Sequence, residues 1–167
     1  ARASSTAILA ALEVDPLLTA EMIRRSSEAA WSEVREQVVD FLKRWHSQGK
    51  IDRAFRAMMV TGRPDFVAQT WPLLSHDDDQ VHLAALRESD PLVLSSFGPD
   101  ASAKISNLPK KVRRNLIHEI AMYGDFEAIE FATEMAIREA DPAIVAFIIG
   151  ALEFRGAEDQ IERVLQH

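Results

Sequence analysis

Residues 141–156 read DPAIVAFIIGALEFRG, and this stretch decides the fold. Asp141 offers a carboxylate to the free N–H groups of a helix start, and Pro142 takes the first helical position, where a missing N–H does no harm. Ile144, Val145, Ile148, Ile149 and Leu152 then recur at three- and four-residue spacing, as on one face of a helix. Gly156 sits where a left-handed residue would end it. The same register occurs three times earlier, at Val34-Arg35, Val81-His82 and Val112-Arg113. Counted from the first residue of each copy, Val38, Ala85, Leu116 and Ile148 stand at plus four, and Val39, Leu86, Ile117 and Ile149 at plus five. Leu42, Ile120 and Leu152 stand at plus eight, where the second copy has Ser89 and has already broken. The copies start 47, 31 and 32 residues apart. Self-similarity at such periods marks stacked helical repeats.

Outward from these copies, helix signals are dense and strand signals nearly absent. The periodicity predicts helices over 4–13, 16–28, 31–47, 50–61, 64–75, 78–88, 91–97, 109–123, 125–139, 142–155 and 157–166. Asp15-Pro16 and Asp90-Pro91 repeat the start seen at Asp141-Pro142, and Gly49, Gly62 and Gly124 repeat the stop seen at Gly156. Residues 98–107 (GPDASAKISN) are the one long polar connection, expected to be a mobile loop or a shortened repeat. In 125–139, Ala128, Ile129, Phe131, Ala132, Met135 and Ala136 make a broad apolar stripe, with Glu127, Glu130, Glu134 and Arg138 on the far side. In 31–47 the inner stripe is Val34, Val38, Phe41, Leu42 and Trp45. Arg35 falls inside it, between Leu42 and Val39, and Arg113 falls in the equivalent place between Ile120 and Ile117. An arginine at an apolar position needs a partner, because an unpaired buried charge is strongly destabilising.

The pattern of Asp141, Pro142, Ile144, Val145, Ala151, Leu152 and Gly156 resembles the second helix of a HEAT repeat, and Val34-Arg35 and Val112-Arg113 resemble the Val-Arg pair of that helix. The likeness is strongest in the last two copies and weakest between 62 and 108, where His82 stands in place of the arginine. The resemblance implies an all-α fold: a right-handed superhelical stack of antiparallel helix pairs, a HEAT-like α-solenoid of about four to five units. Residues 1–167 would form a single repeat domain, irregular around 89–108. The resemblance also implies a ladder in which Arg113 meets Asp141 or a nearby acid and Arg35 meets Asp52 or Asp79. The end helices 4–13 and 157–166 look like half-repeats, and the first residue is Ala1, so the chain is expected to be a piece of a longer, cytoplasmic protein.

Composition narrows the function classes. A content of 47% hydrophobic and 27% charged residues excludes wholesale disorder. The absence of cysteine excludes a disulfide scaffold and thiolate metal sites, and suits a reducing compartment. The longest uncharged apolar stretch, 142–152, is too short to span a bilayer. The net charge of −7 falls wholly within residues 124–167, while residues 1–123 balance. Such an acidic last third repels phosphate backbones and anionic lipid, so neither nucleic acid nor membrane is an expected partner.

Four groups of side chains invite a chemical reading. His76, Asp77, Asp78, Asp79 and His82 are the densest set of metal-ligand types, but histidines six apart point to different helix faces and no calcium-loop glycine follows. They read as an acidic helix start. Glu119 stands on an apolar stripe, in line with Leu108 and Val112, and reads as a partner for an arginine or as a groove-rim carboxylate; His118 beside it points about 100° away. Lys110, Lys111, Arg113 and Arg114, in the string PKKVRR, form the one basic cluster, of which the repeat register claims Arg113. The helix over 142–155 is apolar around nearly its whole circumference, so Phe147 and Phe154 are either roofed by the flanking helices or belong to an interface. No nucleophile elbow, phosphate loop or dinucleotide motif is present, and no cofactor or metal is expected.

The expectation is therefore a non-enzymatic scaffold or regulatory domain that binds another protein, or further repeats of its own parent chain, on the concave surface of the stack. The candidate binding residues are Glu36, Asp40, Lys43, Arg114, His118, Glu119, Phe147 and Phe154, with Arg35, Arg113 and Asp141 as the ladder. Two other readings follow from the resemblance alone: a DNA glycosylase-type enzyme recruiting Trp45, Tyr123 and Glu119, and a bilin-type lyase or chaperone with an aromatic groove. The acidic balance argues against the first.

Overall fold

The computed structural model describes residues 4–89 and 92–167. Among them are eleven α-helices and no strand. They are α1 (Ser5–Leu12), α2 (Pro16–Arg24), α3 (Glu28–Trp45), α4 (Arg53–Thr61), α5 (Val67–Leu74), α6 (Asp79–Glu88), α7 (Ala101–Ser106), α8 (Lys110–Tyr123), α9 (Phe126–Arg138), α10 (Pro142–Phe154) and α11 (Glu158–Leu165). No described helix is long and apolar enough to cross a membrane. The described chain falls into two compact units, one of residues 4–89 with 95–98 and the other of 92–94 with 99–167.

Side-chain caps set most helix starts. Asp15 accepts from the N–H groups of Leu17 and Leu18, Asp52 from Phe55, Asp125 from Ala128, and Asp141 from Ala143. Ser27 accepts from Ala30, which is why α3 begins at Glu28 and α2 ends at Arg24, where one helix was predicted over 16–28. The polar stretch 98–107 holds the short helix α7, which buries Ala101 and Ile105. The helix predicted over 91–97 reduces to a 3-10 turn at Leu94–Phe97, and the expected Asp90-Pro91 cap lies outside the described residues. Gly49, Gly62 and Gly156 have positive φ, as expected, but Gly124 does not (φ −74°, ψ 169°). Its reason is space: a Cβ there would fall on the Ala128 side chain and within 2.5 Å of the Ile120 carbonyl oxygen.

In the first unit α1 packs on α2 and α3, α2 on α4, α3 on α4, and α5 on α4 and α6. Alternate helices therefore lie side by side, α1 against α3 and α2 against α4. Ile8, Ile23, Trp31, Val34, Val38, Leu42, Met58 and Phe66 fill the core between them. The second unit repeats the scheme, with α8 on α9 and α10, and α11 on α9 and α10. Its core takes Leu116, Ile117, Ile120, Ala132, Ile144, Ile148 and Leu152. The residues at plus four (Val38, Ala85, Leu116, Ile148) are all buried. Ser89, which breaks the second copy, is also buried and donates to the Ala85 carbonyl at 2.6 Å.

Charge pairs tie these layers together. Arg113 donates to both carboxylate oxygens of Glu139 (2.7 and 3.2 Å) and to the Leu108 carbonyl (2.8 Å). Its acid is thus Glu139, at the end of α9, while Asp141 pairs with Lys110. Glu139 comes first because the α9–α10 connection turns its carboxylate inward, where it also accepts from the Asp141 N–H. Arg35 meets Asp65 at 2.5 Å instead of Asp52 or Asp79, and its side chain is 62% exposed, outside the apolar stripe. Asp65 lies in the 3-10 turn Pro64–Phe66, which passes over that face of α3. In the arginine slot of the second copy, buried His82 donates through Nδ1 to the Leu74 carbonyl at 2.6 Å and joins α6 to the end of α5. Arg155, just past α10, donates to the carbonyls of Met122 (2.6 Å) and Gly124 (3.0 Å), satisfying the C-terminal end of α8. Arg163 of α11 bridges Glu130 and Glu134, on the side of α9 opposite its apolar stripe.

Three outcomes follow. Arg113→Ala leaves the nearly buried Glu139 unpaired and should cost about 3 kcal/mol in urea unfolding, while Arg35→Ala should cost less than about 1 kcal/mol. Equal losses would remove the distinction between the two rungs. Glu139 is held below its ordinary 4.5: burial, the largest single influence, pushes it up, and the hydrogen bonds and charge of Arg113 with the Asp141 N–H outweigh it. A carboxylate depressed in the folded state adds stability above about pH 4.5 that is lost as pH falls through the folded value. Unfolding free energy should therefore drop on acidification below that point, and less steeply in Glu139→Gln; parallel pH curves would exclude Glu139 from the effect. Gly124→Ala should destabilise by about 2 kcal/mol, whereas Gly150→Ala, whose Cβ meets nothing within 4 Å in α10, should stabilise by about 0.5–1 kcal/mol. Thermal melts of the two variants, moving in opposite directions, check this.

Candidate functional site

α10 has more apolar surface than its neighbours can cover. Ile144, Ile148, Ala151 and Leu152 turn inward, and Val145 and Ile149 are half-buried. Ala143, Ala146, Phe147, Gly150 and Phe154 stay outside, at the spacing of one helical face. Phe147 is 41% exposed and Phe154 77%. The flanking α9 and α11 therefore roof only one side of the helix, and both phenylalanines face solvent.

The adjoining helix α8 supplies the polar part of this face. α8 packs directly against α10, and both pack against α9. Arg114 and His118, one turn apart on α8, both lean on Phe147: the guanidinium carbon lies 4.9 Å from the ring centre, and the imidazole stacks at 4.3 Å with a 32° tilt. Asn115 accepts from Arg114 Nε and Nη2 at 3.2 and 3.0 Å, which fixes the guanidinium plane. Glu119 Oε1 stands 3.7 Å from His118 Nδ1, an electrostatic contact longer than a hydrogen bond. The fold thus gathers Arg114, His118, Glu119 and Phe147 at one place, and Phe154 lies two turns further along α10. Tyr123, half-exposed, closes the same end of α8.

The other three candidates belong to the first unit. Glu36, Asp40 and Lys43 are exposed on α3 and, with Arg35 and Asp65, line a shallow groove of about 480 Å³. Lys43 also borders a neighbouring groove of about 420 Å³ with His46, Gln69 and Leu73. Trp45 lies in this unit, 37% exposed and 6.2 Å from the Phe41 ring, whereas Tyr123 and Glu119 share α8 in the second.

Two arrangements escaped the sequence reading. His46 Nδ1 stands 3.1 Å from Asp52 Oδ1, an imidazole with an orienting carboxylate. Burial raises Asp52, the largest influence, but the N–H groups of Ser47 and Phe55 and the His46 ring together hold it below the ordinary carboxylate range. With its histidine side chain buried and Asp52 capping α4, the pair closes the α3–α4 turn. The second arrangement is a groove of about 690 Å³ where Arg53 and Arg56 of α4 meet Arg87 of α6. Arg53 and Arg56 share a helix face and are visible from spacing; Arg87 joins them only through tertiary packing.

The acidic stretch around residue 78 serves a helix start. Asp78 accepts from the Gln80 and Val81 N–H groups, and His76 Nδ1 accepts from the Asp78 N–H. Among the described residues, no three His, Asp or Glu side chains gather as metal ligands would. Of the PKKVRR cluster, Lys110 and Arg113 are engaged with Asp141 and Glu139, and Arg114 lies on Phe147. Compared with family models, curated proteins and solved structures, the chain matches none of them.

Proposed function

We propose that the chain is a non-enzymatic protein-binding scaffold or regulatory domain of a cytoplasmic protein, built as a right-handed stack of HEAT-like helix pairs. The side-by-side arrangement of alternate helices within each unit supports the repeat reading. The single observation that supports binding is the exposed apolar face of α10. Two phenylalanines left in water on one helix face, beside a guanidinium and an imidazole, have the make-up of an interface: an aromatic anchor with a polar rim. Covering the largely exposed Phe154 contributes about 1.5–2.5 kcal/mol and the remaining exposed part of Phe147 about 1 kcal/mol, a sizeable share of a modest affinity. Recognition spread over a helix face needs no enclosed cavity, in keeping with the shallow grooves of the first unit.

The test compares Phe154→Glu, and separately Arg114→Glu with Lys43→Glu, with the parent chain in affinity capture from native lysate and in thermal melts. Phe154 and Lys43 are exposed and Arg114 is only half-buried, so melting temperatures should move by no more than about 3 °C. Captured proteins should be lost in both variants. Identical capture by all three chains would count against the α8–α10 face, and capture of nothing by the parent against the proposal as a whole.

A further inference from the structure

We infer that the α8–α10 face takes an amphipathic helical segment of another protein, carrying a carboxylate set beside bulky apolar side chains. This rests on the protein-binding reading and names the chemistry of the partner.

Charge gives the first argument. In the second unit Lys110, Arg113, Arg138 and Arg163 each meet a carboxylate, and Arg155 is engaged with backbone carbonyls. Arg114 has no acid partner among the described residues. Its guanidinium is nonetheless held in place, by Phe147 on its face and Asn115 on one edge. A fork fixed in this way loses little side-chain freedom when it accepts an anion, and its planar donors match a carboxylate. A polyanion is disfavoured, because residues 124–167 carry a net charge of −7. One acid placed against Arg114, with apolar groups elsewhere, satisfies both conditions.

Shape gives the second. Phe147 and Phe154 are seven residues apart, which places them roughly 10.5 Å apart along the axis of α10. That matches the spacing of positions i and i+7 on an incoming helix. Between them Gly150 presents no side chain, and a Cβ built there meets nothing within 4 Å, so a partner backbone can approach closely. Ala143 and Ala146, both exposed, keep the side chains of this face small toward the start of α10. Arg114 and His118 flank Phe147, so the acid of the partner would lie beside its first apolar anchor and not its second.

The experiment selects displayed random 16-residue peptides on the whole chain, then measures the synthetic winners by fluorescence anisotropy against the parent, Arg114→Glu and Phe154→Glu. Winners should carry Asp or Glu at a constant offset from Phe, Leu or Trp. Their affinity should fall at least tenfold in each variant, and replacing the peptide acid with Lys should restore binding to Arg114→Glu. Winners that depend on Phe154 but ignore Arg114 would overturn the acidic partner and leave the protein-binding reading intact. Winners indifferent to both substitutions would move the site off this face, and no winners at all would overturn the inference. Light scattering that shows the parent self-associating, and Phe154→Glu not, would make the occupant a second copy and overturn it equally. Circular dichroism melts of both variants establish that loss of binding is not loss of fold.

Discussion

The second unit depends on one guanidinium. Arg113 leaves the first turn of α8 and is gripped by both oxygens of Glu139, whose carboxylate also accepts from the Asp141 N–H, while Asp141 holds Lys110 and caps α10. Four ionic side chains and a helix N-terminus thus form one network where α8 meets the α9–α10 connection. A buried ion pair gains little over an apolar pair of equal volume, so its value lies in what it excludes. It fixes the height of α8 against α10, because one turn of slip would leave Glu139 buried without a counter-charge. That height in turn places Arg114 and His118, one and five residues further on, against Phe147.

The helices were legible in the sequence where the signal was local. Asp-Pro starts, glycine stops and the three-and-four spacing of apolar residues act within one or two turns, and the plus-four positions lie on buried helix faces as that spacing expects. The structure departs from that reading where packing geometry, near or far in the chain, outweighs spacing. By spacing Arg35 lies inside a stripe, but the turn carrying Asp65 draws it sideways from 30 residues away. By position Gly124 is a left-handed stop, whereas the first turn of α9 and the Ile120 carbonyl come too close for a side chain. The stretch 98–107, polar in composition, still forms a short helix because Ala101 and Ile105 find cover.

The candidate site was half legible. That α10 is apolar all round could be read from its residues, but which half would be covered could not, since that is settled by where α8, α9 and α11 lie. Arg114 and His118 were readable as outward positions of α8, and their stacking on Phe147 was not, because it spans two helices. Arg87 joined Arg53 and Arg56 unseen for the same reason, while the His46–Asp52 pair depends on the path of the α3–α4 turn, which spacing does not give. Within a helix, spacing predicts neighbours; between helices, only packing does.

The uncovered face of α10 also bears on how copies of the chain meet in solution. Copies with a net charge of −7 repel one another, and this repulsion opposes the adhesion of exposed Phe147 and Phe154. Added salt shortens the reach of the repulsion without weakening the apolar attraction, and near the isoelectric point of about 5.2 the repulsion vanishes. Mild acidity and high ionic strength are thus the conditions that weaken the repulsion holding these exposed rings of different copies apart.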